Sequence, residues 1–170
     1  MTAQPARIFI SYKRDVKPDD PLALRLYEAL RGRCAVFIDR TMLVGTAWAE
    51  RIQAELEACD YLIPLLSEHS VHSEMVEAEI HTAQRLAKTR GGKPKILPVR
   101  VAYTEPLEYP LSAYLGPLNW TVWNGEDDTE PLIRDLLAAI DGGELSTASG
   151  VKPDSVGPVG HPARHFACRR

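Results

Sequence analysis

Three glutamates, Glu74, Glu77 and Glu79, crowd one short span of Ser67 to Leu86 (SEHSVHSEMVEAEIHTAQRL), a stretch that also holds Glu68. A carboxylate becomes chemically useful where an apolar surface desolvates it, because burial raises its proton affinity and strengthens its electrostatic contacts. The stretch reads as a helix. Ser70 or Ser73 can cap it, since a serine oxygen accepts from first-turn N–H groups that lack partners. The inward stripe is Val76, Ile80, Ala83 and Ala87, at helical spacing. At about 100° per residue, Glu79 falls roughly 65° from the middle of that stripe, Glu77 about 95° away on the other side, and Glu74 almost opposite. Glu79 therefore stands nearest the buried edge, with His72 and Met75 on its side. The plainer reading of all three is that of helix-surface acids, which a helix N-terminus favours through its dipole.

The elements that must position these groups follow from patterning. Arg7 to Tyr12 reads as a first strand, followed by the charged loop KRDVKPDD. Asp20 is placed to cap a helix with Pro21 at its first position, where a missing N–H costs nothing. Leu22, Leu26 and Leu30 form its inner stripe, and Gly32 ends it. Cys34 to Ile38 is a short buried strand, and Asp39 to Gly45 a loop. Thr46 can cap a helix with the stripe Trp48, Ile52, Leu56 and Cys59. Tyr61 to Leu66 is a third strand and Lys95 to Val101 a fourth. A short helix fits near Leu111–Leu115, and Asn119 to Trp123 is a fifth strand. Thr129 is placed to cap a last helix, with Leu132, Ile133, Leu136, Leu137 and Ile140 inward.

Continuous apolar strands alternating with amphipathic helices imply an α/β fold, a parallel sheet covered on both faces. Five such units predict a doubly wound five-stranded parallel sheet in the flavodoxin-like order 2-1-3-4-5. Its ligands bind beyond the carboxyl ends of the strands. Ser11–Asp20, Asp39–Thr46 and Ser67–Ser73 lie there. Pro64 and Pro98 fall inside two internal strands, where proline removes a ladder bond, so a bulge or irregular pairing is expected at each.

Composition bounds the function classes. The chain has 170 residues, 45% apolar, with formal charge −3. One domain with a real core is expected over residues 1–142, and a disordered tail or linker over 143–170, where Pro, Gly and small residues dominate. A slight negative charge argues against nucleic-acid binding. No membrane span and no signal peptide are evident, so a cytosolic (cytoplasmic) setting is expected. Cys34, Cys59 and Cys168 lack disulfide or zinc spacing, and the first two read as core residues. His69-x-x-His72 lacks a convincing third ligand, so no metal is expected. No P-loop, nucleophile elbow or dinucleotide fingerprint occurs.

Phe9-Ile-Ser-Tyr12, then Phe37-Ile-Asp-Arg40 with Gly45 and Trp48, then Leu65-Leu-Ser67 with Ser73 and Glu79-Ile80 stand in one order. Together these segments resemble the TIR (Toll/interleukin receptor) domain, from Arg7 to about Ile140. Phe9–Tyr12 resembles the family's first box, and Phe37–Trp48 its second box and BB loop. The third segment resembles the one that carries the family's glutamate. Many TIR domains, in bacteria especially, cleave NAD+ at the nicotinamide–ribose bond, and the glutamate of that activity matches Glu79. The resemblance thus implies an NAD+ nucleosidase that gives nicotinamide and ADP-ribose or a cyclic isomer. NAD+ would be a substrate, and no cofactor is called for. It also implies activation by self-association with other TIR domains, in signalling or defence, with a sensor domain beyond the tail.

On that reading Glu79 stabilises the positive charge developing at the anomeric carbon. Ser11, Lys13 and Arg14 meet the pyrophosphate or adenosine side, or are solvated loop groups. Asp39 accepts from a hydroxyl or organises its loop. Trp48 is core or a ligand stack. Ser67 and Ser73 line the pocket or cap the helix. Two departures stand out. Met75 occupies a position where the family usually has an aromatic, often tryptophan, though a thioether also packs against a ring. Val44 precedes Gly45 where the family usually has proline. The alternative is a non-enzymatic adaptor that binds other TIR domains. A response regulator fits the fold but not the sites, because Asp19-Asp20 lie too far downstream and the third strand ends in Leu66-Ser67.

Overall fold

Runs such as Ile8-Phe9-Ile10 and Leu62-Ile63 contain no polar residue and need cover on both faces. In the computed structural model, helices supply that cover. The structure describes residues 4–39 and 47–142. The elements in chain order are β1 (Arg7–Ser11), α1 (Asp19–Leu30), β2 (Ala35–Ile38), α2 (Trp48–Ala58), β3 (Tyr61–Leu66), α3 (Glu74–Thr89), β4 (Lys95–Ile96), β5 (Val99–Val101), α4 (Leu111–Leu115), β6 (Thr121–Trp123) and α5 (Thr129–Ile140). All strand pairs are parallel, in the order β2-β1-β3-β5-β6, with β4 also against β3. This is the expected doubly wound sheet, with its fourth strand in two pieces.

The break has a local cause. Leu62 pairs with Ile96 and Leu65 with Val99. The offset is the same on both sides, so the pairing is interrupted and no residue is inserted. That offset sets Pro64 opposite Pro98, and neither can donate to a ladder. The Leu97 N–H still reaches the Leu62 carbonyl at 2.8 Å, and the Pro98 carbonyl accepts from Thr121 N–H at 3.1 Å.

Strand alternation builds two cores. Ile8, Ile10, Ile63, Leu65, Val99 and Val101 pack with α1 and α5. Phe9, Leu62 and Leu66 pack with α2, α3 and α4. The stripes Leu22/Leu26/Leu30 and Val76/Ile80/Ala83 are buried, as are Cys34 and Cys59. Full burial of one such leucine is worth about 1.5–3 kcal/mol.

Helix starts depart from expectation. Asp19 and Asp20 both lie in the first turn of α1, and Pro18 holds the cap position. A 3-10 turn, Ser70–His72, precedes α3, which begins at Glu74. Ser73 has the extended backbone of an N-cap, but its hydroxyl makes no capping bond. Asp128 precedes α5, and the Thr129 hydroxyl accepts from Trp123 Nε1 at 2.9 Å instead of capping. At Thr129 a tertiary partner took the side chain that local sequence offers to the helix end, and the Ser70 hydroxyl likewise donates to the Leu65 carbonyl. The Thr46 cap, most of the loop after Asp39, the segment 143–170 and Cys168 lie outside the described residues.

Candidate active site

Period-two alternation decides which chemistry-bearing residues meet. Phe9 points to the α2/α3 side of the sheet, so Ser11, two residues on, points there too. β1 and β2 pair Phe9 with Phe37 and Ile10 with Ile38. The next step of that register sets Ser11 beside Asp39. The same alternation sends Ser67 the other way, since it shares parity with Ile63 and Leu65, which face α1 and α5.

A small cleft results at the carboxyl ends of β1 and β2, lined by Phe9, Ile10, Ser11, Tyr12, Arg14, Asp39, Met75 and Glu79. Glu79 projects into it from α3 and is only 6% exposed. Ser11 Oγ–H donates to Glu79 Oε2. Burial pushes the Glu79 carboxyl up to about 7, and the negative charge of Asp39 adds to the rise. The Ser11 hydrogen bond and the Arg14 charge oppose it. Desolvation prevails because the hydroxyl and the partly exposed cation replace only part of the lost hydration.

Asp39 organises the other wall. Its Oδ2 accepts from Trp48 Nε1 at 3.0 Å and lies 3.9 Å from Arg14 Nη1. The Tyr12 hydroxyl donates to the Asp39 carbonyl at 3.3 Å. Strand β2, the loop after β1 and the first turn of α2 are thus joined at one residue. Trp48 is half-buried and packs against the α2/α3 core. A buried carboxyl near neutral proton affinity, a hydroxyl on it and a cation facing it can stabilise a developing positive charge, then accept a proton.

Of the sequence candidates, Ser11, Arg14, Asp39, Met75 and Glu79 line the cleft, and Trp48 supports it from behind. Lys13 is exposed and is not among the lining residues. Ser67 is buried on the opposite face, where its hydroxyl donates to Asp19 Oδ2 at 2.7 Å. Ser73 is buried at the start of α3 and does not line the cleft. Glu74 is exposed, and Glu77 is half-exposed. Sequence reasoning missed Tyr12, whose place beside Ser11 at a strand end was the available signal, and missed Asp19. Among the described residues no group of three or more His, Cys, Asp or Glu is arranged to hold a metal ion, and no helix is long and apolar enough to cross a membrane.

One solved structure, a GCN5-related glucosamine N-acetyltransferase region of a fungal multi-domain GH3 β-N-acetylglucosaminidase, gives a TM-score of 0.44 at 12% identity, covering 79% of this chain and 14% of that one. The chain thus spans a small fraction of that protein, and the likeness is too low to bear on function. No curated protein matches. The family comparison is decisive: residues 8–137 match the model described as the TIR domain, reaching from β1 into α5. With its parallel α/β sheet, the chain belongs to the TIR domain family, a family of signalling domains.

Proposed function

We propose that this domain cleaves NAD+ at the nicotinamide–ribose bond. The supporting observation is Glu79, buried at the carboxyl edge of the sheet, bonded by Ser11 and held near neutral proton affinity. In NAD+ the nicotinamide is already cationic and departs neutral, taking the electron pair of the C–N bond, so no acid is needed on the leaving group. That differs from the two-carboxylate glycosidases. The ionised Glu79 stabilises the cationic ribosyl carbon that remains. Water then adds to that carbon and gives ADP-ribose, its proton passing to Glu79 and on to solvent. Addition of a nitrogen from the substrate's own adenine gives a cyclic isomer instead. Arg14, at the rim, meets the pyrophosphate.

TIR domains self-associate, and assembly is the natural switch for such an activity in a signalling or defence setting. Activity should therefore rise more steeply than linearly with protein concentration. The test is NAD+ consumption by purified protein, with and without forced clustering, beside Glu79→Ala and Glu79→Gln. Loss of NAD+ with the wild type and none with either variant supports the reading. Intact NAD+ under clustering refutes it. A non-enzymatic adaptor is the second reading. It is favoured by Met75, which lines the cleft where the family usually carries an aromatic.

A further inference from the structure

A second polar cluster sits on the other face of the sheet and contributes no residue to the lining of that cleft. Asp19, in the first turn of α1, is wholly buried at 0% exposure, and its Oδ1 has no hydrogen-bond partner among the described residues. Its Oδ2 accepts from Ser67 Oγ–H at 2.7 Å. Ser67 Oγ in turn accepts from the N–H groups of His69, at 3.2 Å, and Ser70, at 3.1 Å. Ser70 Oγ accepts from Ser67 N–H and donates to the Leu65 carbonyl, both at 2.6 Å. Burial raises the proton affinity of Asp19. Ser67, the backbone N–H groups of Lys13 and Asp19 and the charge of His69 oppose that rise.

The placement of this cluster is informative. In this strand order β1 and β3 are neighbours whose crossovers leave for opposite faces of the sheet. The loop from Ser11 to α1 carries Arg14 to the Glu79 cleft. The segment from Ser67 leads through the 3-10 turn into α3, which carries Met75 and Glu79 to it. Asp19 is the residue that joins the two segments. A buried carboxylate with one unpaired oxygen is a costly way to fasten two loops, because a desolvated charge is poorly repaid. An apolar contact between the same loops would hold them with less directional constraint.

We propose that Asp19 is a positioning residue for the Glu79 cleft, fixing the loop after β1 to the loop after β3 through Ser67 and thereby setting how Ser11 and Arg14 meet Glu79. The role rests on the reading of Glu79 as the reacting carboxylate, but it is measurable without turnover. Ser11 and Arg14 both lower the proton affinity of Glu79. Loosening the tie weakens both contacts and moves the Glu79 titration upward.

The test uses the full chain carrying Ser67→Ala, which leaves the Asp19 charge in place, and Asp19→Asn, which leaves an acceptor oxygen but no charge. Ser67→Thr, which keeps the hydroxyl, is the conservative control. The Glu79 carboxyl titration is followed by carbon-13 NMR, with its signal assigned by its loss in Glu79→Gln, beside kcat and KM for NAD+. Ser67→Ala and Asp19→Asn should raise the Glu79 midpoint by about half a unit or more, roughly a threefold change in proton affinity. They should lower kcat by about tenfold or more while KM changes by less than about threefold, as misplacement of a reacting group does. Ser67→Thr should restore both. An unmoved midpoint and kcat in folded variants overturns the role, and so does global unfolding of Ser67→Ala, which would make the cluster a stability element only. A wild type that leaves NAD+ intact refutes the activity alone, because the titration still decides for or against Asp19.

Discussion

Replacing Glu79 by glutamine keeps the shape of the side chain and an oxygen for the Ser11 hydroxyl, and removes the charge. The consequence for stability follows from linkage. The folded carboxyl titrates at about 7 against a reference of 4.5. Below 4.5 both folded and unfolded chains hold the proton, and nothing is lost. Between 4.5 and about 7 the unfolded chain releases its proton first, so wild-type stability falls with rising pH by about 1.4 kcal/mol per unit. Above about 7 the loss levels off at roughly 3 kcal/mol. The Glu79→Gln protein lacks this term. Its stability relative to wild type should therefore climb across the same window and then flatten, whatever constant offset the amide introduces. Asp19 titrates in both proteins and cancels from the difference. Urea denaturation followed by tryptophan fluorescence at half-unit intervals from pH 4.5 to 8.5 gives the difference curve directly. A flat curve refutes desolvation as the dominant influence on Glu79. A curve of opposite slope would show Ser11 and Arg14 holding the carboxylate better than water does.

Three other outcomes are expected. If the ionised Glu79 is the reacting form, kcat/KM for NAD+ rises with pH through about 7. Ser11→Ala then moves that limb to higher pH, and Asp39→Asn moves it lower; shifts of the same sign in a pH–rate series would refute these assignments. Trp48→Phe keeps the ring in the α2/α3 core but removes the 3.0 Å bond to Asp39. It should cost about 1 kcal/mol in unfolding free energy by urea denaturation, and no loss would refute the Trp48 bond as an anchor of Asp39. The Cys59 thiol is buried and pushed up to about 12. Iodoacetamide at pH 8 should leave it unmodified in the native protein and alkylate it in urea, as mass mapping would report; rapid native labelling would refute its burial.

The sequence by itself determined the class of the fold and its element order. Both periodicities are local, so Leu22/Leu26/Leu30, Val76/Ile80/Ala83 and the apolar strands declare their elements without knowledge of distant partners. It also singled out Glu79, because helical spacing alone placed it at the buried edge of its stripe. Its burial to 6% exposure, however, depends on β1 lying against α3. The two prolines were legible as conflicts. Their opposition across one pair of strands, which breaks the fourth strand without inserting a residue, required the register. Ser67 looked like a neighbour of Glu79 because both follow β3. Strand parity carried it to the other face and into the bond with Asp19. Of the adjacent acids, local rules favoured Asp20 as the cap, whereas the fold buried Asp19 and left Asp20 half-exposed. Periodicity assigns a side chain to a face within one element. Only the crossovers and registers of the assembled sheet decide which faces meet, and the cleft is made at those meetings.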